Sequence, residues 1–285
     1  MSAVHRIALS ALLGIAFVIP AASQDAPPPA YGWKTEMTGS LSLTQAGFSN
    51  WAQGGENALA WQTSVKANFT RTEKKYSWVN KGKFLYGLSK VGDTGTRKSA
   101  DELKLETVYT RKMNLYLNPF FAATAITQFA PGYTYDANTK TQVSGLLDPG
   151  YFTQSAGLGY SRTDEFKTRL GATIKETVTR DFPIPYADDP GTSNVEKTKV
   201  EGGITSTTEV KRKLSENMLY TSELVLFSNL KSMSEIDVDW SSQVVAKVAK
   251  YVNVTLSVDV LYDKDIVDKW QLKEVLSLGL TYSIF

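Results

Sequence analysis

The sequence contains no cysteine, and its single histidine, His5, lies among the first few residues. Without cysteine there is no disulfide framework, no thiolate metal site and no acylated cysteine to serve as a lipid anchor. Once a leader carrying His5 is removed, a serine–histidine triad and histidine metal ligation are excluded as well. An excess of one charge is also lacking. The 31 lysines and arginines nearly match the 29 acidic residues, so the basic face that a nucleic-acid partner requires is not expected. Beyond residue 23 no apolar run reaches the 18 residues that mark a membrane helix, which excludes helical spanning of a bilayer.

What is present begins with a leader. His5 and Arg6 precede the 13-residue apolar run "IALSALLGIAFVI", and "PAASQ" follows with small residues at Ala21 and Ser23. A charged start, a short apolar stretch and a small-residue site describe a secretory signal peptide over 1–23, with cleavage expected after Ser23. The run is too short to cross a hydrocarbon core, which takes about 20 residues. Residues 24–32 then form a short extension, and 33–285 the body of the protein.

That body alternates with a period of two. "MTGSLSL", "LAWQTSVKANF", "ELKLETVY", "VEGGITSTTEV", "VNVTLSVDVLY" and "LSLGLTYSI" place apolar or aromatic side chains on one parity and polar ones on the other, the pattern of strands with one apolar face. Thr, Val, Tyr and Gly dominate where a helix would favour Ala, Leu and Glu. The breaks define twelve strands, at roughly 33–47, 58–70, 77–90, 100–111, 114–129, 150–162, 167–180, 199–212, 217–230, 236–248, 252–264 and 272–285. Tight connections such as "RTEKK", "TDEF" and "KLSEN" alternate with longer ones such as "APGYTYDANTKTQVSGLLD". An even strand number, strands longer than the ~9–11 residues that cross a membrane, and short turns at one end predict an all-β fold: a single up-and-down antiparallel transmembrane barrel.

In that barrel the apolar parity faces lipid. Trp33, Trp61, Phe69, Trp78, Phe84, Tyr109, Tyr160, Tyr220, Trp240, Tyr262, Trp270 and Tyr282 occupy it, mostly near strand ends, where aromatic girdles form. The terminal "TYSIF" resembles the closing signal by which outer-membrane proteins engage the barrel-assembly machinery, although Phe285 falls on the opposite parity from Tyr282 and Ile284.

The stretches "FSNWAQGGEN", "YSWVNKGKFLYG", "SADELKLE", "TQFAPGYTYD", "SELVLFSNL", "IDVDWSSQVVAKVAKYV" and "QLKEVLSLGLTY" together resemble an uncharacterised family of outer-membrane barrels in diderm bacteria, the domain of unknown function 3078. The resemblance runs from about residue 33 to the end. It implies the barrel and the outer-membrane location; it implies no activity, because the family has no established one.

Two candidate sites follow. The first is the loop between strands one and two, expected at the outer mouth, with Phe48, Trp51, Gln53, Gly54, Gly55, Glu56 and Asn57. Its aromatics either anchor the rim at the interface or offer a stacking platform to a carbohydrate. The second is the lumen parity, which carries Lys81, Lys83, Lys104, Glu106, Lys167, Arg169, Glu223, Asp237, Asp239 and Asp259. Interleaved signs can bridge across strands, and basic patches at Lys81, Lys83, Lys167 and Arg169 oppose an acidic sector from Glu223 to Asp259. No catalytic residue, metal or cofactor is expected, and only "QDAPPPAYG" precedes strand one, so energy-coupled transport is not expected either. Two functions remain: a narrow passive channel for a small hydrophilic solute, or a non-conducting barrel, structural or partner-binding, with a salt-bridged interior. The expected partners are outer-membrane lipid and the assembly machinery, not nucleic acid.

Overall fold

The computed structural model describes residues 31–47, 56–136, 139–184, 195–264 and 267–284. The leader, and the loop residues Phe48, Trp51, Gln53, Gly54 and Gly55, lie outside the described residues. Fourteen strands follow in chain order: β1 (Gly32–Ala46), β2 (Ala58–Thr72), β3 (Tyr76–Val91), β4 (Arg97–Arg111), β5 (Leu117–Thr127), β6 (Gly132–Asp136), β7 (Thr139–Ser144), β8 (Gly150–Thr163), β9 (Phe166–Val178), β10 (Thr198–Ser215), β11 (Met218–Asn229), β12 (Ile236–Lys247), β13 (Val252–Asp263) and β14 (Val267–Ser283).

Twelve of them close into one antiparallel barrel in the order β1-β14-β13-β12-β11-β10-β9-β8-β5-β4-β3-β2, while β6 and β7 pair only with each other. Each barrel strand lies beside its chain neighbour, as hairpin connections dictate. Closure pairs each barrel strand on both sides, the condition for burying strands in hydrocarbon.

The distribution of apolar surface is inside-out. Large aliphatic side chains on one parity stand exposed: Leu105 at 54%, Leu170 at 59%, Leu276 at 66% and Leu278 at 56%. The same parity carries Trp33, Trp78, Tyr109, Trp270 and Tyr282 toward the strand ends, and neighbouring rings touch across strands, Trp33 with Trp78 and Tyr262 with Trp270. A soluble barrel of this size would turn these residues inward; a belt of exposed leucines flanked by exposed aromatics is a lipid-facing surface. Among the described residues no helix is long and apolar enough to cross a membrane.

The buried apolar residues Ala100, Val108, Phe120, Ala122 and Phe227 all point into the barrel instead. Val79, Val108, Phe120 and Ala122 form a small apolar floor toward the tight-turn end. Phe227 reaches inward over a glycine of the adjoining strand β10, and Phe120 over one of β9, two strands away. A Cβ on Gly203 would lie against the Phe227 ring, and one on Gly171 would come within 3.1 Å of Phe120. Glycine at these register positions creates the space for two inward aromatics in a narrow lumen.

The expected strands match the barrel closely, with three differences. The connection 128–149 contains its own hairpin, β6–β7, because "GYTYD" and "TKTQVS" are rich in the Tyr and Thr that favour strands. Lys140 lies 3.9 Å from the Tyr133 ring centroid and Arg97 4.3 Å from that of Tyr135, which tie the hairpin together and to the start of β4. Second, β4 begins at Arg97 and β14 at Val267, both earlier than the sequence pattern suggests; charged residues among their first three, Arg97 and Lys98 or Asp268 and Lys269, hide the alternation. Third, closure is uneven. β1 and β14 meet over six register pairs, Thr38 with Ser283 through Leu43 with Leu278, whereas β1–β2 and β2–β3 each share fifteen.

Candidate functional site

Register arranges the lumen charges into rows. On one wall Lys66 of β2 lies opposite Lys83 of β3, which lies opposite Lys104 of β4. On the other wall Glu209 of β10 lies opposite Glu223 of β11, and the same row continues through Ser241 to Asp259 of β13. Like charges directly opposite in a ladder repel. Each row is therefore unfavourable alone and takes part of its compensation from the wall it faces.

The compensation crosses the lumen. Lys104 Nζ is 2.6 Å from Glu223 Oε1, and Lys81 Nζ is 2.9 Å from Glu209 Oε2, pairs whose strands stand nearly opposite in the ring. Arg169 of β9 joins them, its Nη2 lying 2.8 Å from Glu106 Oε1 and 3.0 Å from Glu209 Oε1. Lys81 also lies 3.2 Å from Glu106 Oε2. Lys66 reaches Gln243 of β12 at 3.3 Å, while Lys83 stays on its own wall with Glu102 at 3.0 Å. The six groups Lys81, Lys104, Arg169, Glu106, Glu209 and Glu223 thus form one balanced layer above the apolar floor, with Arg169 5.8 Å from the Phe120 centroid.

A second cluster lies nearer the longer loops. Lys175 Nζ sits 2.9 Å from Asp237, 3.4 Å from Asp263 and 3.8 Å from Glu201, over the Phe227 ring at 5.1 Å. Asn229 donates to Glu201 at 3.0 Å.

The structure therefore brings five of the ten lumen charges named from sequence, Lys81, Lys104, Glu106, Arg169 and Glu223, into one layer between facing walls, with Lys83 beside it in register and paired with Glu102. Asp237 belongs to the Lys175 cluster, and Asp259 accepts a hydrogen bond from Ser241 at 2.8 Å. Asp239 lies between Val225 and Leu261 in register on the same acidic wall. Lys167 stands apart: it pairs with the turn residue Asp164 at 3.3 Å and marks the tight-turn rim. Glu209, Phe120, Phe227 and Gln243 complete the picture. The parity that identified the other lumen residues also contains them, but their roles depend on which strands face each other, and alternation carries no such information.

Carboxylate oxygens of Glu106, Glu209 and Glu223 lie within 4.8 Å of one another. Each is already ion-paired with Lys81, Arg169 or Lys104, so a hard cation could enter only by displacing a fixed one.

At the longer-loop end, Asn57 accepts a backbone hydrogen bond from Gly92 at 2.8 Å, and the Glu56 carboxylate packs against Gly92, whose φ of +54° suits glycine. These two residues of the opening loop join the β1–β2 connection to the β3–β4 turn. Nearby, Asp148 is 1% exposed and accepts hydrogen bonds from the backbone N–H groups of Arg180 at 2.8 Å and Asp181 at 2.7 Å. Burial pushes its carboxyl upward, but those donors and that of Phe182 outweigh it and hold the group below its ordinary value. Lys98 bridges Asp101, Gln128 and the carbonyl of Ala130, all within 2.8 Å. The long connections on this end are thus latched to one another and to the barrel.

Solved structures with a similar outline include the NanC porin, with 9% identity, 86% of this chain and 97% of that one covered, and a TM-score of 0.40. An outer membrane channel from Pseudomonas putida F1 gives 11% identity, coverage of 92% and 98%, and a TM-score of 0.40. The translocator domain of the autotransporter NalP from Neisseria meningitidis gives 10% identity, coverage of 90% and 89%, and a TM-score of 0.35. No curated protein is significantly similar to the chain in sequence. Residues 43–133, from the end of β1 to the start of the β6–β7 hairpin, match the model of the family described as "Protein of unknown function (DUF3078)".

Proposed function

We propose that the protein is exported by a signal peptide over residues 1–23, inserted by the barrel-assembly machinery into the bacterial outer membrane, and there passes small hydrophilic solutes passively through a narrow, charge-lined lumen. The observation that supports this reading is the ionised layer of Lys81, Lys104, Arg169, Glu106, Glu209 and Glu223. A barrel whose interior serves only as a scaffold is held most economically by packed apolar side chains, because a desolvated ion pair gains little over a hydrophobic replacement. A row of lysines aimed at a row of carboxylates is a surface suited to polar traffic. Twelve strands enclose a lumen between the filled eight-stranded barrels and the open sixteen-stranded porins.

The opposite reading, a closed structural or partner-binding barrel, draws on the same contacts: Lys104–Glu223 and Lys81–Glu209 span the lumen and leave little room for passage. Planar-bilayer recording decides between the two. Small, weakly ion-selective conductance steps support the channel. Protein that is folded by its heat-modifiable gel shift yet shows no steps rejects it and leaves the closed barrel.

A further inference from the structure

We infer that the cross-lumen layer selects zwitterions, solutes with one ammonium and one carboxylate in amino-acid-like proximity, over neutral, anionic and cationic solutes of the same size. The inference rests on the channel reading and names the class of solute that the channel takes.

The argument begins with what a solute must do to pass. The walls are joined by Lys104–Glu223 at 2.6 Å and Lys81–Glu209 at 2.9 Å, so passage requires these bridges to part. When they part, Lys104 and Glu223 lose their ion-pair partner, each beside a like charge in register, Lys83 on one side and Glu209 on the other, while Lys81 keeps Glu106, Glu209 keeps Arg169 and Lys83 keeps Glu102. Like charges so placed repel, and separated partners in a confined space lose most of their stabilisation.

A neutral solute replaces neither partner. An anion satisfies the lysine wall but adds to the acidic one, and a cation does the reverse. A zwitterion brings its carboxylate to Lys104 or Lys81 and its ammonium to Glu223 or Glu209, so both walls exchange one ion pair for another without net change of charge. The transverse field between the rows also orients the solute dipole across the pore.

Arg169 refines the geometry. It holds Glu106 and Glu209 together at 2.8 Å and 3.0 Å, and its planar fork stays charged at any physiological pH. It thereby fixes one side of the layer while the single-headed, more flexible Lys81 and Lys104 swing. The apolar floor of Val79, Val108, Phe120 and Ala122 offers no side-chain hydrogen bonds to a solute that has slipped past, so nothing on the tight-turn side of the layer competes with it for the solute's charges.

The test uses purified full-length mature protein in liposomes, with swelling rates measured for glycine, glycolamide, glycolate and ethanolammonium, which are close in size. Glycine is expected to enter faster than the other three by roughly threefold or more, a small part of what fields in narrow clefts can supply. The double variant Lys104→Gln with Glu223→Gln is expected to bring the glycine-to-glycolamide ratio to about one while glycolamide still enters. The charge swap Lys104→Glu with Glu223→Lys restores a bridge in the reverse sense and is expected to keep the preference. It also serves as a check if the glutamine variant fails to fold. Swelling at equal rates for all four solutes, or slower entry of glycine, overturns the inference and leaves the channel standing. No swelling with any solute, in protein folded by its gel shift, removes the channel itself.

Discussion

At the residue scale, the best-defined polar group outside the membrane is Asp148. It is almost completely buried in the β5–β8 connection, and its two oxygens take three backbone N–H groups from Arg180, Asp181 and Phe182 in the β9–β10 connection. These bonds hold its pKa below the ordinary 3.8. A carboxyl depressed on folding contributes stability above its unfolded pKa, and that contribution is lost as pH falls through the lower folded value. The latch is therefore expected to hold from neutral pH down to about pH 4 and to release only in stronger acid. Asp148→Asn removes the charge and one acceptor and is expected to cost about 1–3 kcal/mol at neutral pH, the range for unsatisfied buried groups. Amide hydrogen exchange at Arg180 and Asp181 reads both effects. Exchange unchanged in the variant would show that the carboxylate does not hold the two loops. Nothing in the alternation pointed to Asp148, because "GLLDPG" reads as an ordinary turn and burial of a loop aspartate depends on which connections fold over it. The lumen charges were legible because parity alone assigns them a face. The partner of each was not, since Lys81 and Glu209 are 128 residues apart.

At the element scale, most strands could be read directly because a strand in a lipid-facing barrel must alternate along its length, and each break is a tight turn or a long loop. The early starts of β4 and β14 escaped because "RKS" and "VDKW" mix polarities where the strands emerge from the membrane. Neighbouring glycines on β10 test the two faces. A Cβ on Gly203 would collide with the Phe227 ring and the Ser228 carbonyl, while one on Gly202 meets nothing within 4 Å. Gly203→Ala is expected to lower stability by about 1–3 kcal/mol through overpacking, and Gly202→Ala to change it by at most about 0.5 kcal/mol. The lipid belt gives a parallel contrast: Leu278→Lys, on the exposed apolar face, should cost roughly 2–4 kcal/mol, and Ser277→Lys, which faces inward, far less. Urea unfolding of vesicle-inserted variants measures all four. Equal losses for the members of either pair would remove the distinction between the faces, and the opposite order would mean that they are assigned the wrong way round.

At the scale of the whole molecule, the ends of the barrel differ. Residues 73–75, 164–165 and 216–217 make tight reversals, and β1 starts and β14 finishes at that same end. The other end carries the connections 128–149 and 179–197, the β6–β7 hairpin, and the latches made by Asp148, Lys98 and Gly92. Bacterial barrels keep short turns in the periplasm and longer loops outside the cell, so the latched end is expected to face outward. Single cysteines at Thr96 and Lys74 separate the two ends; both positions are exposed and the protein has no other cysteine. On intact cells a membrane-impermeant maleimide is expected to label Thr96→Cys and to leave Lys74→Cys unlabelled until the outer membrane is permeabilised. The reverse pattern would invert the topology and would move the opening-loop residues Glu56 and Asn57 from the outer mouth to the periplasmic one. Labelling of both on intact cells would mean that the barrel does not separate two compartments, which is incompatible with the exposed leucine belt being covered by lipid.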